Sequence, residues 1–251
     1  MIAGLALALL PAASTLAAVS VGGNLGNGQF DSLSYGTTGT GSLDALLFVG
    51  DFAGTTNIKT QVSGTPLGPF IPPSVGGSAS FATITFLITN SSPSFTFSDL
   101  RFMVDVQADG SGTFQDKPQA VWGPKVNGAP DHYQIVDFGV DGPLSTKMVA
   151  NNGLSDSVSA SCTGVASCDV DLGLEWDLAK LGPGETWSIT VGLSDDGQAL
   201  SSRYLRATSA DSAGTELIFS GIAAIPEPAP FAILIAGLGL LLLLVFRHRS
   251  A

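Results

Sequence analysis

Basic residues are scarce in this sequence. Ten Lys and Arg stand against 21 Asp and Glu in 251 residues, a formal net charge of −11. A surface this acidic repels phosphate, which disfavours nucleic acid and anionic lipid as partners. Histidine is almost missing too: only His132 and His248 occur. No His-Glu-x-x-His helix, Gly-x-Ser-x-Gly elbow or phosphate-binding Gly-x-x-x-x-Gly-Lys loop is present. His132, in Pro130-Asp131-His132-Tyr133, reads first as a polar loop residue. Long amphipathic helical patterns are also lacking before the last 26 residues, so a helical bundle is excluded.

Short alternating segments fill that gap. In Phe81–Thr89, Ala82, Ile84, Phe86 and Ile88 make one apolar face and Thr83, Thr85 and Thr89 the other, as a half-buried strand requires. Asn90-Ser91-Ser92-Pro93 reads as a turn. Phe95 and Phe97 share one parity, and Leu100, Phe102, Val104 and Val106 the other, which predicts a bulge or a break between two strands. Val170, Leu172, Leu174, Trp176 and Leu178 alternate with Asp171, Gly173, Glu175 and Asp177. After the turn Leu181-Gly182-Pro183-Gly184-Glu185, Trp187, Ile189, Val191 and Leu193 alternate again, which predicts a hairpin with solvent-facing carboxylates. Leu46–Val49, Gln134–Val136, Phe138–Val140 and Leu217–Phe219 are shorter strand candidates. Many short strands between Gly- and Pro-rich turns predict an all-β fold, a single β-sandwich of jelly-roll or immunoglobulin-like arrangement.

One loop-like stretch has the spacing of a cation site. Counting from Asp105, oxygen-bearing side chains fall at Asp105, Gln107, Asp109, Ser111, Thr113 and Asp116, with Gly110 at the sixth position. That is the spacing of an EF-hand calcium loop, with Asp rather than Glu at the twelfth position. The competing reading is a polar hairpin loop turned by Asp109-Gly110.

The sequence ends on Pro226-Glu227-Pro228-Ala229-Pro230, an unbroken apolar run from Phe231 to Phe246, and Arg247-His248-Arg249-Ser250-Ala251. With Ala229 and Pro230 the run is near the lower limit for a membrane-spanning helix over about 229–246. Positive charge directly after it marks the cytoplasmic side, leaving everything before Pro226 outside. The two prolines keep the tripeptide extended, which suits a processing enzyme. Together Pro226, Glu227, Pro228, the apolar run, Arg247 and Arg249 resemble the PEP-CTERM sorting signal of Gram-negative bacteria. The resemblance implies a membrane partner, an exosortase-type enzyme that recognises the tripeptide and processes the protein at the cell surface. It covers about a tenth of the chain and concerns delivery, not the role of the delivered part.

Export has further signs. Ile2–Leu10 is a second apolar run, followed by Pro11 and the small-residue stretch Ala12–Ala18, as in a secretory signal peptide cut after Ala17 or Ala18. The organisation expected is therefore a leader over 1–18, one secreted domain over 19–225, and a sorting and anchoring segment over 226–251. Outside the cell, Cys162 and Cys168, with Gly164 between them, read as a disulfide closing a small loop. On the chain-entropy view such a loop adds about 2 kcal/mol. The setting that the resemblance implies is the surface or the exopolysaccharide matrix of a biofilm, with a structural rather than enzymatic role. The alternative is a secreted carbohydrate-binding module or polysaccharide hydrolase, since a two-carboxylate hydrolase needs no histidine. No cofactor is expected beyond the calcium that Asp105–Asp116 could take.

Overall fold

The computed structural model describes residues 19–24, 29–35, 39–49, 74–109, 116–137, 141–151, 153–160, 170–209 and 216–224. The leader, Ser111, the Phe138–Val140 strand candidate, the Cys162–Cys168 pair and the 226–251 segment lie outside these residues. Among the described residues no helix is long and apolar enough to cross a membrane.

The alternating segments become strands of two sheets. One has seven strands in the order β1 (Ser20–Asn24), β2 (Gln29–Tyr35), β3 (Gly39–Val49), β6 (Phe97–Asp109), β10 (Val170–Leu181), β8 (His132–Asp137) and β9 (Ser157–Val158). The other has six, in the order β4 (Ser74–Ser78), β5 (Phe81–Thr89), β11 (Thr186–Ser194), β13 (Glu216–Ala224), β12 (Arg203–Ser209) and β7 (Asp116–Trp122). The short pairing of β8 with β9 is parallel, and the longer central pairings are antiparallel. Helix α1, Leu144–Asn151, is the helix among the described elements. The fold is all-β.

One apolar core lies between the sheets. Leu43, Ala45 and Leu47 of β3, Phe102, Val104 and Val106 of β6, and Leu172, Leu174 and Trp176 of β10 meet Ile84, Phe86 and Ile88 of β5, Trp187, Ile189 and Val191 of β11, and Phe219 of β13. The expected inward parities of Phe81–Thr89, Val170–Leu174 and Trp187–Leu193 hold.

One connection differs from expectation. β10 and β11 are not a hairpin: they pair with different neighbours in different sheets, and Gly182–Glu185 carries the chain across the core. β5 and β6 are joined by a similar crossing through Asn90–Thr96. Alternation fixes which face of a strand is apolar, but two strands facing each other across a core satisfy it as well as two strands side by side. The parity change near Phe97 also proves to be neither a break nor a bulge. β6 runs unbroken through Asp99, whose φ of 53° turns the chain over, and the register to β10 keeps step on both sides of it. Phe95 falls outside the strand, 57% exposed, with its ring edge-on to Phe97 at 4.9 Å.

The two crossings are tied to each other. Asn90 is fully buried; its Nδ2 donates to the Phe95 carbonyl at 2.7 Å and to the Leu181 carbonyl at 2.9 Å. Its backbone N–H donates to Glu185 O at 2.9 Å, and its carbonyl accepts from Gly184 N at 2.8 Å. Gly184 has a φ of 74°, the left-handed conformation that glycine adopts without strain.

Candidate functional site

The outward face of the seven-stranded sheet carries most of the polar chemistry. Down β6 it presents Arg101, Met103, Asp105 and Gln107; down β10, Asp177, Glu175, Gly173 and Asp171. α1 and residues 153–158 lie across this face. Leu144, Met148 and Leu154 cover Leu46, Phe48, Met103 and Val136 in a second apolar cluster. Gly173 makes the close approach possible: a Cβ there would lie 2.8 Å from Leu144 Cδ1 and 3.2 Å from Leu154 Cδ1.

This cover corrects the reading of Asp171 and Glu175 as solvent-facing, while Asp177 is exposed as expected. Glu175 is fully buried and Asp171 is 2% exposed. Alternation correctly put them on the face opposite the main core, but alternation cannot reveal a helix from elsewhere in the chain lying over that face.

At one end of the covered apolar patch is an ion network. Arg101 Nη1 lies 3.3 Å from Glu175 Oε1, and its Nε lies 3.7 Å from Asp177 Oδ1. Glu175 Oε2 accepts the Leu154 backbone N–H at 2.6 Å. His132 Nδ1 lies 2.9 Å from Asp156 Oδ2, and its Nε2 lies 3.6 Å from Asp177 Oδ2. Asp156, at a φ of 51°, also accepts the Tyr133 N–H through Oδ1 at 3.0 Å. Asp131 accepts the Asp177 N–H at 3.0 Å and pairs with Lys125. Burial pushes the Glu175 carboxyl up to about 7, helped by the neighbouring Asp177 and opposed by the Leu154 N–H and Arg101. For His132 burial acts downward, but the Asp156 hydrogen bond and the charges of Asp156, Glu175 and Asp177 outweigh it and raise its pKa above 6.5.

At the other end, Ser42, Asp44, Asp105, Gln107, Pro143, Ser145 and Asp171 line a cavity of about 210 Å3. Here the calcium-loop expectation meets the structure. Asp105, Gln107 and Asp109 are consecutive same-side positions of β6, and Asp116 opens β7 in the other sheet. A strand spaces same-face residues about 6.6 Å apart along a line, whereas an EF-hand loop wraps its first five positions around one centre. The stretch is described as far as Asp109 in β6 and again from Asp116 in β7, and 110–115, with Ser111, lie outside the described residues. Among the described residues no group of three or more His, Cys, Asp or Glu is arranged to hold a metal ion.

The aromatics are mostly inside. Trp176 and Trp187 are 1% and 2% exposed, at the core positions their parity predicted. Their edges, with Lys125, Asn127, Asp131, Asp177 and Leu178, line a cavity of about 200 Å3. Trp122 stacks near Tyr133 at 4.5 Å, with the Arg203 guanidinium 4.9 Å from its ring.

Sequence reasoning missed Arg101, Asp156 and the α1 cover. One signal was available: Gly173 in the middle of a regular strand marks a close approach by something else. No family model matches the sequence, and no curated protein shows significant similarity to it.

Proposed function

We propose that the chain is an exported, non-enzymatic structural protein of the surface or exopolysaccharide matrix of a Gram-negative bacterium, handed to an exosortase-type membrane enzyme by its C-terminal segment. The observation that carries this reading is the ordered succession of Pro226-Glu227-Pro228, the Phe231–Phe246 run, and Arg247 and Arg249. The fold agrees with it. β13 ends at Ala224, two residues before Pro226, and sits inside its sheet between β11 and β12. Among the described residues the apolar core reaches as far as Ala223. A cut near Pro226–Pro228 would fall after the last described strand of a body that is, on this reading, a single β-sandwich. The acidic body suits a hydrated matrix by remaining soluble through charge repulsion. The arrangement of the carboxylates supports the non-enzymatic part: Glu175, with its raised pKa, is closed under Leu154 and held by Arg101.

The intact mass of the mature protein tests the sorting, compared between cells with and without the exosortase. Loss of residues 229–251 only when the enzyme is present is the expected result; a tail retained in both cells would leave an ordinary single-span anchor.

A second reading, carbohydrate binding, draws on the cavity beside Trp176 and Trp187 with its amide and carboxylate neighbours. It is the weaker one, because both indole faces are taken up by the core and sugar rings need an open aromatic face. Pulldown with purified exopolysaccharide should show no saturable binding; saturation that Asn127→Ala and Asp131→Ala abolish would reverse the order of the two readings.

A further inference from the structure

Helix α1 and residues 153–158 cross the seven-stranded sheet as a strap. Its far end is a two-residue parallel pairing, Ser157 with Gln134 and Val158 with Ile135, extended by the Ser159 N–H to the Ile135 carbonyl at 2.9 Å. Its near end is held by Lys147 on Asp141 at 3.1 Å. Its middle is held by the ion network: Leu154 on Glu175 and Asp156 on His132. We propose that this strap is a proton-operated clasp, closed over Leu46, Phe48, Met103 and Val136 in mildly acidic surroundings and loosened in alkaline ones.

The charge inventory gives the direction. The groups facing Glu175 are Arg101 from β6, Asp177 from β10, His132 from β8 and Asp156 from the strap; Asp131, paired with Lys125, stands behind Asp177. With Glu175 and His132 both protonated, Arg101 and His132 balance Asp156 and Asp177, and the cluster is neutral. Protonated Glu175 still accepts the Leu154 N–H and donates its proton to Asp177. Removing both protons leaves a net charge of about −2 around the fully buried Glu175 carboxylate, whose relief is to let water in by lifting the strap.

Linkage agrees in sign. With the strap open, Glu175 returns towards its ordinary 4.5, so between there and about 7 the closed form holds a proton that the open form does not. Closure therefore weakens as pH rises through that window. His132, raised above 6.5 in the closed form, holds the strap fully below 6.5 and loses that contribution as pH climbs through its raised value. The two groups act in the same direction over adjoining ranges. The strap is also built from the cheap end of the stability range: a two-residue edge strand, one helix of about two turns and a cluster of only seven apolar side chains.

Amide hydrogen exchange of the full chain in mild detergent, between pH 5.5 and 8.5 and corrected for intrinsic exchange rates, reads the clasp directly. The peptide containing Leu154–Val158 should lose protection by about tenfold or more over that range, while Thr186–Ser194 of β11 stays protected. Glu175→Gln, which mimics the protonated carboxyl, should remove most of the loss at pH 8.5, leaving the smaller fall that His132 contributes. His132→Gln should lower its protection at pH 6 several-fold. Strap protection that ignores pH in the wild type, or that falls together with β11, would overturn the proposal, as would a Glu175→Gln chain with the pH dependence of the wild type.

Discussion

Asn90→Ala should cost the fold about 3 kcal/mol, measured as a shift of the urea unfolding midpoint at constant slope. The substitution leaves backbone bonds to Gly184 and Glu185 in place and removes only the side-chain amide. That amide is the donor for two carbonyls, Phe95 O and Leu181 O, at a residue with no solvent access. Its Oδ1 also accepts the Ser92 N–H at 3.0 Å, which sets the first turn of the crossing. Each buried polar group stripped of its partner costs about 1–3 kcal/mol, and the total is held down by whatever water the vacated space admits. Asn90→Asp is a sharper version. It keeps the acceptor and the shape but loses the donor, and sets a carboxylate against two carbonyl oxygens. It should be at least as damaging at neutral pH and partly relieved in acid, where the protonated carboxyl can donate one bond. Ser94→Ala, at an exposed position of the same crossing where the backbone N–H bonds Ser92 Oγ, is the control and should stay within about 0.5 kcal/mol. If Asn90→Ala matched that control, the two crossings would not be clamped through this amide.

The same residue shows how much of the molecule was legible. Asn90-Ser91-Ser92-Pro93 reads as a turn from composition alone, and a turn is there. That it joins two sheets rather than two neighbouring strands cannot be read from it, because side-chain parity records only a buried face. The core followed from parity: Ile84, Phe86, Phe102, Val104, Leu172, Leu174, Trp187 and Ile189 all stand where alternation put them. What escaped were the contacts made by a distant segment. α1 has modest amphipathicity and no acidic residue in its first turn or basic residue in its last, so neither pattern nor capping announces it. Once it lies over β6 and β10, it buries Asp171 and Glu175, turns a row of surface acids into an ion network, and gives His132 a partner in Asp156. Of the calcium spacing, Asp105, Gln107 and Asp109 stand in a strand because Val104, Val106 and Ala108, alternating with them, join the core. On the proposed function the tripeptide and apolar run of the tail would be read by their local order, which is why sequence alone carries that part of the argument.

Phe102→Ala should be the most damaging single change in the core, with an expected loss of about 3–5 kcal/mol. Phe102 sits on β6 and joins the two sheets through its ring. Its centroid is 5.1 Å from Phe86 on β5 and 6.3 Å, edge-on, from Trp187 on β11; within its own sheet it is 6.4 Å from Trp176. Three aromatic neighbours, all fully or nearly fully buried, would border the vacated space. They cannot collapse into it easily. Trp176 is fixed by its Nε1–H to the Gly128 carbonyl at 3.2 Å, and its ring lies over Gly221, where a Cβ would strike it. The cavity term therefore adds to the lost transfer energy instead of being relaxed away. Phe95→Ala removes a ring of the same size that is more than half exposed and touches Phe97 edge-on, so it should cost under about 1 kcal/mol. A domain of this kind holds about 5–15 kcal/mol in total, so the first change would take about a fifth of it or more and the second a small share. Phe102→Leu should fall between, because Leu refills part of the volume but not the contact with Trp187. Equal losses for Phe102→Ala and Phe95→Ala would mean that the sheets are held together at their edges and crossings rather than by this aromatic layer. Asn90 would then matter more than any core residue.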